Sequence, residues 1–166
     1  MFVSLNPNTP DIQIDESDLS LMSSYTWHIH NGYVSHTVSR KTSELCGLPV
    51  TSTLLLHRLL LNPPADMVVD HISGDKLDNR RANLRICRQS ENLLNRTKQL
   101  SNTSSQYKGV YLAKGKILRP WRAEIYYQRH RFHIGYFETE IEAADAYNQY
   151  AMDLFGEFAK LNEIAS

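Results

Sequence analysis

Two short apolar runs, MVVDH (67–71) and ANLRIC (82–87), flank the loop SGDKLDN (73–79), and SENLLNRTK (90–98) follows almost at once. That spacing leaves few folds open. The loop is rich in Gly, Asp and Asn, which favour turns. Each run is short and apolar, so the two read as strands, with Leu84 and Ile86 inward on the second. Ser90 is a good N-cap for the helix after them. Upstream, TSTLLLHRLLLNPP predicts a helix stopped by Pro63-Pro64. Residues 51–98 thus read helix, strand, loop, strand, helix.

The same stretch carries reactive groups. Asp70 offers a hard carboxylate oxygen suited to Mg²⁺ or Mn²⁺. His71 titrates near neutrality, which suits a general base. At a strand end that runs into the loop, both side chains can line one cleft. Asn83 opens the returning strand, where it can support the loop behind His71. Asn92 lies in the first turn of the following helix, where its amide oxygen can serve as a second metal ligand. Most positions on such a metal stay open for water and phosphate, the requirement for phosphodiester hydrolysis.

The flanking segments differ in character. Residues 1–50 predict a β-rich segment. A short helix opens at Asp15 or Ser17. Two strands are joined at Asn31-Gly32, a strong two-residue hairpin signal. That turn pairs His28 with Ser35 and puts His36 on the opposite face from His28 and His30, so these histidines do not converge on a metal. TKQLSNTSSQ reads as a linker. Residues 105–163 predict strands at 107–113, 120–127 and 130–136 and one amphipathic helix. Thr139 and Glu142 have capping-box spacing, and Gly156 ends the helix. A tight turn at Gln128-Arg129 pairs Tyr126 with Arg131, Glu124 with His133 and Ala123 with Ile134. One sheet face is then apolar (Trp121, Ala123, Ile125, Phe132, Ile134, Tyr136). The other shows Arg122, Glu124, Tyr126, Arg131 and His133, a surface fit to grip phosphate and touch base edges. A plain solvent face on an α+β module is the alternative.

The charge distribution fits either a nucleic-acid partner or a plain solvated surface, despite a net of zero over 166 residues. Residues 101–133 hold seven Lys/Arg against one Asp/Glu, and residues 134–166 hold one against seven. A basic stripe attracts phosphate even on a neutral molecule. No apolar run is long enough to cross a bilayer, and the start of the chain lacks a signal-peptide pattern. Cys46 and Cys87 form no metal or disulfide motif, so a cytoplasmic setting is expected.

LHRLLLNPPADMVVDHISGDKLDNRRANLRICRQSEN resembles the HNH nucleases of phage and homing type. The resemblance implies a ββα-metal unit over 51–98. Asp70 and Asn92 would hold one divalent metal, His71 would be the base and Asn83 would support it. Gly74, Asn79 and Leu84 fit the same pattern. The family often carries His-Arg where His57 and Arg58 stand; a direct role and a buttressing one both fit His57. Arg58, Arg81 and Arg96 suit either phosphate or solvent.

From Tyr107 to Asn162 the chain is similar to the plant APETALA-two, or ethylene-response-factor, DNA-binding domain. The landmarks are GV, W-x-A-E-I, IG-x-F-x-T-x-x-EAA-x-AY and G-x-x-AKLN. This implies a three-stranded sheet lying in the major groove. Lys108, Glu124 and Arg131 match DNA-contacting types. Tyr111 and Tyr126 stand where those proteins usually have arginine, and His133 stands for a tryptophan. The combined expectation is an α+β, site-directed, metal-dependent endonuclease acting on double-stranded DNA, as a monomer that nicks or as a homodimer. A non-catalytic DNA-binding regulator and an RNA-acting nuclease are the alternatives.

Overall fold

The computed structural model describes residues 1–96, 104–115 and 118–164. Most of the expected linker (97–103) and the last two residues of the expected helix over 90–98 lie outside that set. The chain forms two compact units, Met1–Asn92 and Leu93–Ser166, with several small antiparallel sheets and few helices.

The first unit opens with strands β1 (Phe2–Val3) and β2 (Ile12–Gln13), a 3-10 turn (Glu16–Asp18) and helix α1 (Leu19–Ser23). Strands β3 (His28–His30) and β4 (Tyr33–Thr37) follow, joined as anticipated at Asn31 and Gly32, whose φ values of 52° and 80° are those of a primed turn. His28 pairs with Ser35, and His36 is a packing residue: its Nδ1 lies 2.8 Å from the Thr26 carbonyl oxygen. Helix α2 (Arg40–Cys46) was not anticipated. Its capping box uses Ser39 with Thr42 in place of the usual Glu or Gln.

The helix expected from 51 begins later. Thr53–Leu55 form strand β5, paired with β4, and only Leu56–Leu61 are helical (α3). β-Sheet pairing overrides the local helical preference of the leucines. Asn62, at φ 43°, ends α3 ahead of the two prolines. Strands β6 (Val68–His71) and β7 (Leu84–Cys87) pair antiparallel, with His71 opposite Leu84 and Asp70 opposite Arg85. Leu84 is buried as expected, but Ile86 is 41% exposed. A two-stranded ribbon covers only part of one face, and Cys87 is the buried residue at its far end instead. Helix α4 (Gln89–Leu94) starts one residue before Ser90, with Glu91 Oε2 accepting from the Arg88 amide at 2.7 Å. The reach-back half of a capping box therefore starts this helix, not Ser90.

One core serves this whole unit. Ile12, Ile14, Val34, Leu56, Val69 and Leu84 all belong to it. The loop after β6 is also tied to the N-terminal strands. The Gln13 amide donates to Leu77 O at 2.9 Å, and the Asn79 amide donates to Gln13 O at 2.8 Å. Arg81 forms a two-pronged ion pair with Asp18 (2.8 and 2.9 Å).

The second unit is a three-stranded sheet in the order β10-β9-β8, comprising β8 (Val110–Leu112), β9 (Trp121–Tyr127) and β10 (His130–Phe137), packed on helix α5 (Glu140–Phe155). Thr139 and Glu142 form the expected capping box. Ala143, Tyr147 and Ala151 are buried against the sheet. Gly109 is required there: it has φ 75°, and a Cβ would lie 2.2 Å from the Tyr147 ring. Residues 104–106 belong to this fold: Ser104 Oγ accepts from the Leu112 amide at 2.9 Å.

The β9–β10 register matches expectation from Tyr127–His130 to Glu124–His133 and then shifts by one residue. Gly135, not Ile134, faces Ala123, and Tyr136 faces Arg122. A bulge at this point moves Tyr136 from the apolar face to the polar one, and Phe137 takes its place opposite Trp121. Phe132, expected inward, is 38% exposed.

Candidate functional site

The end of β6 gathers the reactive groups of the first unit. Asp70 and His71 are both buried, at 6% and 5% exposure. His57, on α3, is equally buried, and its ring centroid lies 5.1 Å from that of His71 in an edge-on arrangement. Tyr33, from β4, lines both imidazoles at 5.3 and 6.1 Å. Lys76 caps the outer face of that tyrosine, its Nζ 4.1 Å from the ring centre. A positive charge over an aromatic face is favourable.

Asn83 holds the loop behind His71. Its Oδ1 accepts from the Ser73 amide at 2.9 Å, and its Nδ2 donates to Asp78 O at 2.8 Å. The Ile72 amide adds a bond to Asn83 O at 2.8 Å. Both ends of the loop are thus tied to one buried side chain. Gly74, at φ 86°, makes the turn, with its amide donating to His71 O. Asp78 is gripped on both carboxylate oxygens by Arg80, which holds its carboxyl below the usual range.

Charge in this pocket is tightly controlled. Burial, then the neighbouring His71 and Arg58, lower the His57 pKa to about 3, so its ring is neutral at physiological pH. Among the described residues, its Nδ1 has no hydrogen-bond partner. Burial also lowers His71. The Asn79 side chain and the carboxylates of Asp70, Asp75 and Asp78 act in the opposite direction. A neutral imidazole is the form that can accept a proton.

Asp70 faces Arg85 across the ribbon. The guanidinium reaches Oδ2 through Nε at 3.0 Å and through Nη2 at 2.7 Å. On the same side, burial and the Asp70 charge push the Cys87 thiol up. The Asn92 backbone N–H contacts the same sulfur, which places the first turn of α4 beside the ribbon. Asp70, His71, His57 and Asn83 are thus brought together, with Asn92 next to Cys87. Among the described residues, no three His, Cys, Asp or Glu side chains converge as a metal cluster.

The HNH endonuclease family profile matches residues 62–94, the stretch that holds β6, the loop, β7 and α4. An uncharacterized HNH endonuclease of Acanthamoeba polyphaga mimivirus is 31% identical over 144 residues, covering 87% of this chain and 70% of the relative. The chain belongs to the HNH endonuclease family. No solved structure matches it. Asp70, His71, Asn83 and Asn92 all lie inside the HNH match, whereas His57 and Tyr33 lie outside it.

Two neighbours of the HNH residues escaped the sequence reading. Arg85 looks like any outward residue of an alternating strand until the ribbon register sets it opposite Asp70. Tyr33 sits far upstream, and only the shared core brings it to His57. The arginines considered for phosphate are partly engaged elsewhere: Arg81 by Asp18, and Arg58 by the Met67 carbonyl at 3.2 Å.

In the second unit, the polar sheet face is organised around Glu124. Its side chain is 11% exposed and pairs with Arg122 at 3.2 Å and with Arg131 at 3.6 Å. Tyr111 lies beneath the Arg122 guanidinium at 5.6 Å. His133 packs on Tyr136 at 4.8 Å, and Tyr126 stands 65% exposed. Lys108 is differently placed. Its Nζ donates to Leu94 O and Arg96 O, both at 2.8 Å, and burial lowers its pKa to about 8. The Arg96 side chain belongs to an exposed residue.

Proposed function

We propose that this protein is a metal-dependent DNA endonuclease in which β6, β7 and α4 form the ββα-metal unit. The observation that carries the reading is the buried Asp70-His71 pair at a strand end, with its loop pinned by Asn83. Asp70 and Asn92 would hold the metal. The donor set fits: a carboxylate and an amide offer hard oxygens, and Asp70 carries a cation here in the form of the Arg85 guanidinium. A bound Mg²⁺ or Mn²⁺ supplies charge neutralisation at the scissile phosphate and at the departing oxygen.

The protein's own groups do the rest. His71, neutral because it is buried, takes a proton from water. The resulting hydroxide bonds to phosphorus as the bond to the 3′ oxygen breaks, and that oxygen leaves with a proton from solvent. The ends are a 5′-phosphate and a 3′-hydroxyl. Asn83 keeps the His71 loop in place, and neutral His57 keeps a second positive charge out of the pocket. One site per chain cuts one strand, so double-strand cutting would take two copies.

The second unit is proposed to dock on duplex DNA through its polar sheet face and so select the site. Arg122, Arg131, Tyr126, His133 and Tyr111 would contact the duplex, with Tyr136 added by the bulge and Arg96 as a phosphate contact. Glu124 orients the two arginines beside it. Lys108, with its amine on backbone carbonyls, positions this surface from below. An A-form major groove is too narrow for such a sheet, which favours DNA over double-stranded RNA. The cytoplasm is the proposed setting.

Incubation with plasmid DNA, in Mg²⁺ or in EDTA, tests the reading. Wild type with metal is expected to cut. His71→Ala is expected to bind DNA without cutting, and unimpaired cutting by that variant would overturn the assignment of the base. Arg131→Ala is expected to weaken binding and flatten its salt dependence by about one ion's worth.

A further inference from the structure

Asp70 sits at 6% exposure and carries two hydrogen bonds from one guanidinium that is itself 12% exposed at its side chain. A buried carboxylate in this position needs a positive partner. The register of the ribbon supplies one, because Arg85 is the residue directly across from Asp70. Resting on the nuclease reading above, we propose that Arg85 is a resident counter-ion of Asp70 that a divalent metal must displace from Oδ2, so that it sets how much metal the site needs.

The argument is one of competition. Asp70 Oδ2 takes both the Nε and the Nη2 contacts of Arg85. A divalent ion approaching that oxygen meets a like charge within hydrogen-bond reach of its ligand. The guanidinium must swing away for the ion to bind that oxygen, and the contacts it gives up weaken metal binding. In return, Arg85 balances the charge of the buried carboxylate when no metal is present. Removing Arg85 takes away the guanidinium that competes for Oδ2, so the carboxylate gains more from the ion. A residue that merely stabilised the fold would, on removal, loosen the site and lower metal affinity. The two roles therefore differ in sign.

The test is a Mn²⁺ titration of the full chain without DNA at pH 8, read by electron paramagnetic resonance. Wild type, Arg85→Met, Arg85→Lys and Asp70→Asn are compared. Arg85→Met is expected to bind Mn²⁺ at least about tenfold tighter than wild type, since the ion no longer competes with a guanidinium for Oδ2. Arg85→Lys keeps the charge but loses the paired N–H contacts, and is expected to fall between them. The Mg²⁺ concentration giving half-maximal plasmid cutting should fall in the same order. Unchanged or weaker Mn²⁺ binding in both Arg85 variants, with binding lost in Asp70→Asn, overturns the counter-ion role and leaves the nuclease reading standing. Wild-type Mn²⁺ binding in Asp70→Asn overturns both. Should Arg85→Met fail to fold, Arg85→Lys alone decides the matter.

Discussion

His57 shows how burial fixes the charge state of a side chain. Its pKa falls from 6.5 to about 3 because it is buried beside His71 and Arg58. The folded state therefore holds it neutral across a window in which the unfolded chain binds a proton. Stability from this group is complete above pH 6.5 and is lost as pH falls toward 3, by about 1.4 kcal/mol per pH unit inside the window. His57→Gln is expected to flatten that acid limb in urea unfolding measured between pH 6.5 and 4. An acid limb as steep as that of wild type would mean that other groups drive it. Asn83 has a different task. Its side chain is buried and bonded to Ser73 and Asp78, so Asn83→Ala is expected to cost about 1–3 kcal/mol. Hydrogen exchange should speed up at the Ser73 amide before it does in the core, and uniform protection of that amide in the variant would contradict the pinning role.

At the level of elements, the turn between β9 and β10 stands out for its chemistry. Gln128 and Arg129 have φ values of 48° and 67°, the left-handed region that side chains with a Cβ disfavour. Two-residue hairpin turns usually place Asn-Gly there. Arg129→Gly is expected to stabilise the second unit by about 1 kcal/mol, seen as a raised denaturation midpoint. No gain, or a loss, would show that the arginine makes up for the strain through contacts of its own. The same hairpin shows where pattern reading stops. Turn position and alternation predicted its pairing as far as Glu124–His133, because each step depends on the one before. The extra residue at Ile134 breaks that sequence of steps: the register shifts between His133 and Gly135, where the Phe137 ring lies close to the glycine, and no local pattern encodes it. Similarly, Thr53–Leu55 have a helical neighbourhood but sit beside β4, whose open edge they complete.

Across the whole molecule, the first fifty residues lie outside the HNH match, yet they build the ground on which the site rests. Ile12, Ile14, Met22, Trp27, Val34 and Val38 supply much of the core on which β6 and β7 rest. Gln13 and Asp18 hold the site loop directly. Deleting residues 1–50 is expected to abolish cooperative unfolding of the first unit and its near-ultraviolet circular dichroism, since Leu56, Val69 and Leu84 would lose their partners. A truncated chain that still unfolds cooperatively would refute this dependence. The sequence alone determined the hairpin turns, the capping-box helix and the strand–loop–strand–helix order. These rest on local preference and fixed spacing, which neighbours along the chain suffice to set. Only the tertiary structure decided that Arg85 faces Asp70, that Tyr33 and His57 line His71, that Lys108 turns to backbone carbonyls and that Tyr136 joins the polar face. Those outcomes depend on strand register and on packing between residues far apart in the chain, where burial and pairing outweigh local tendency.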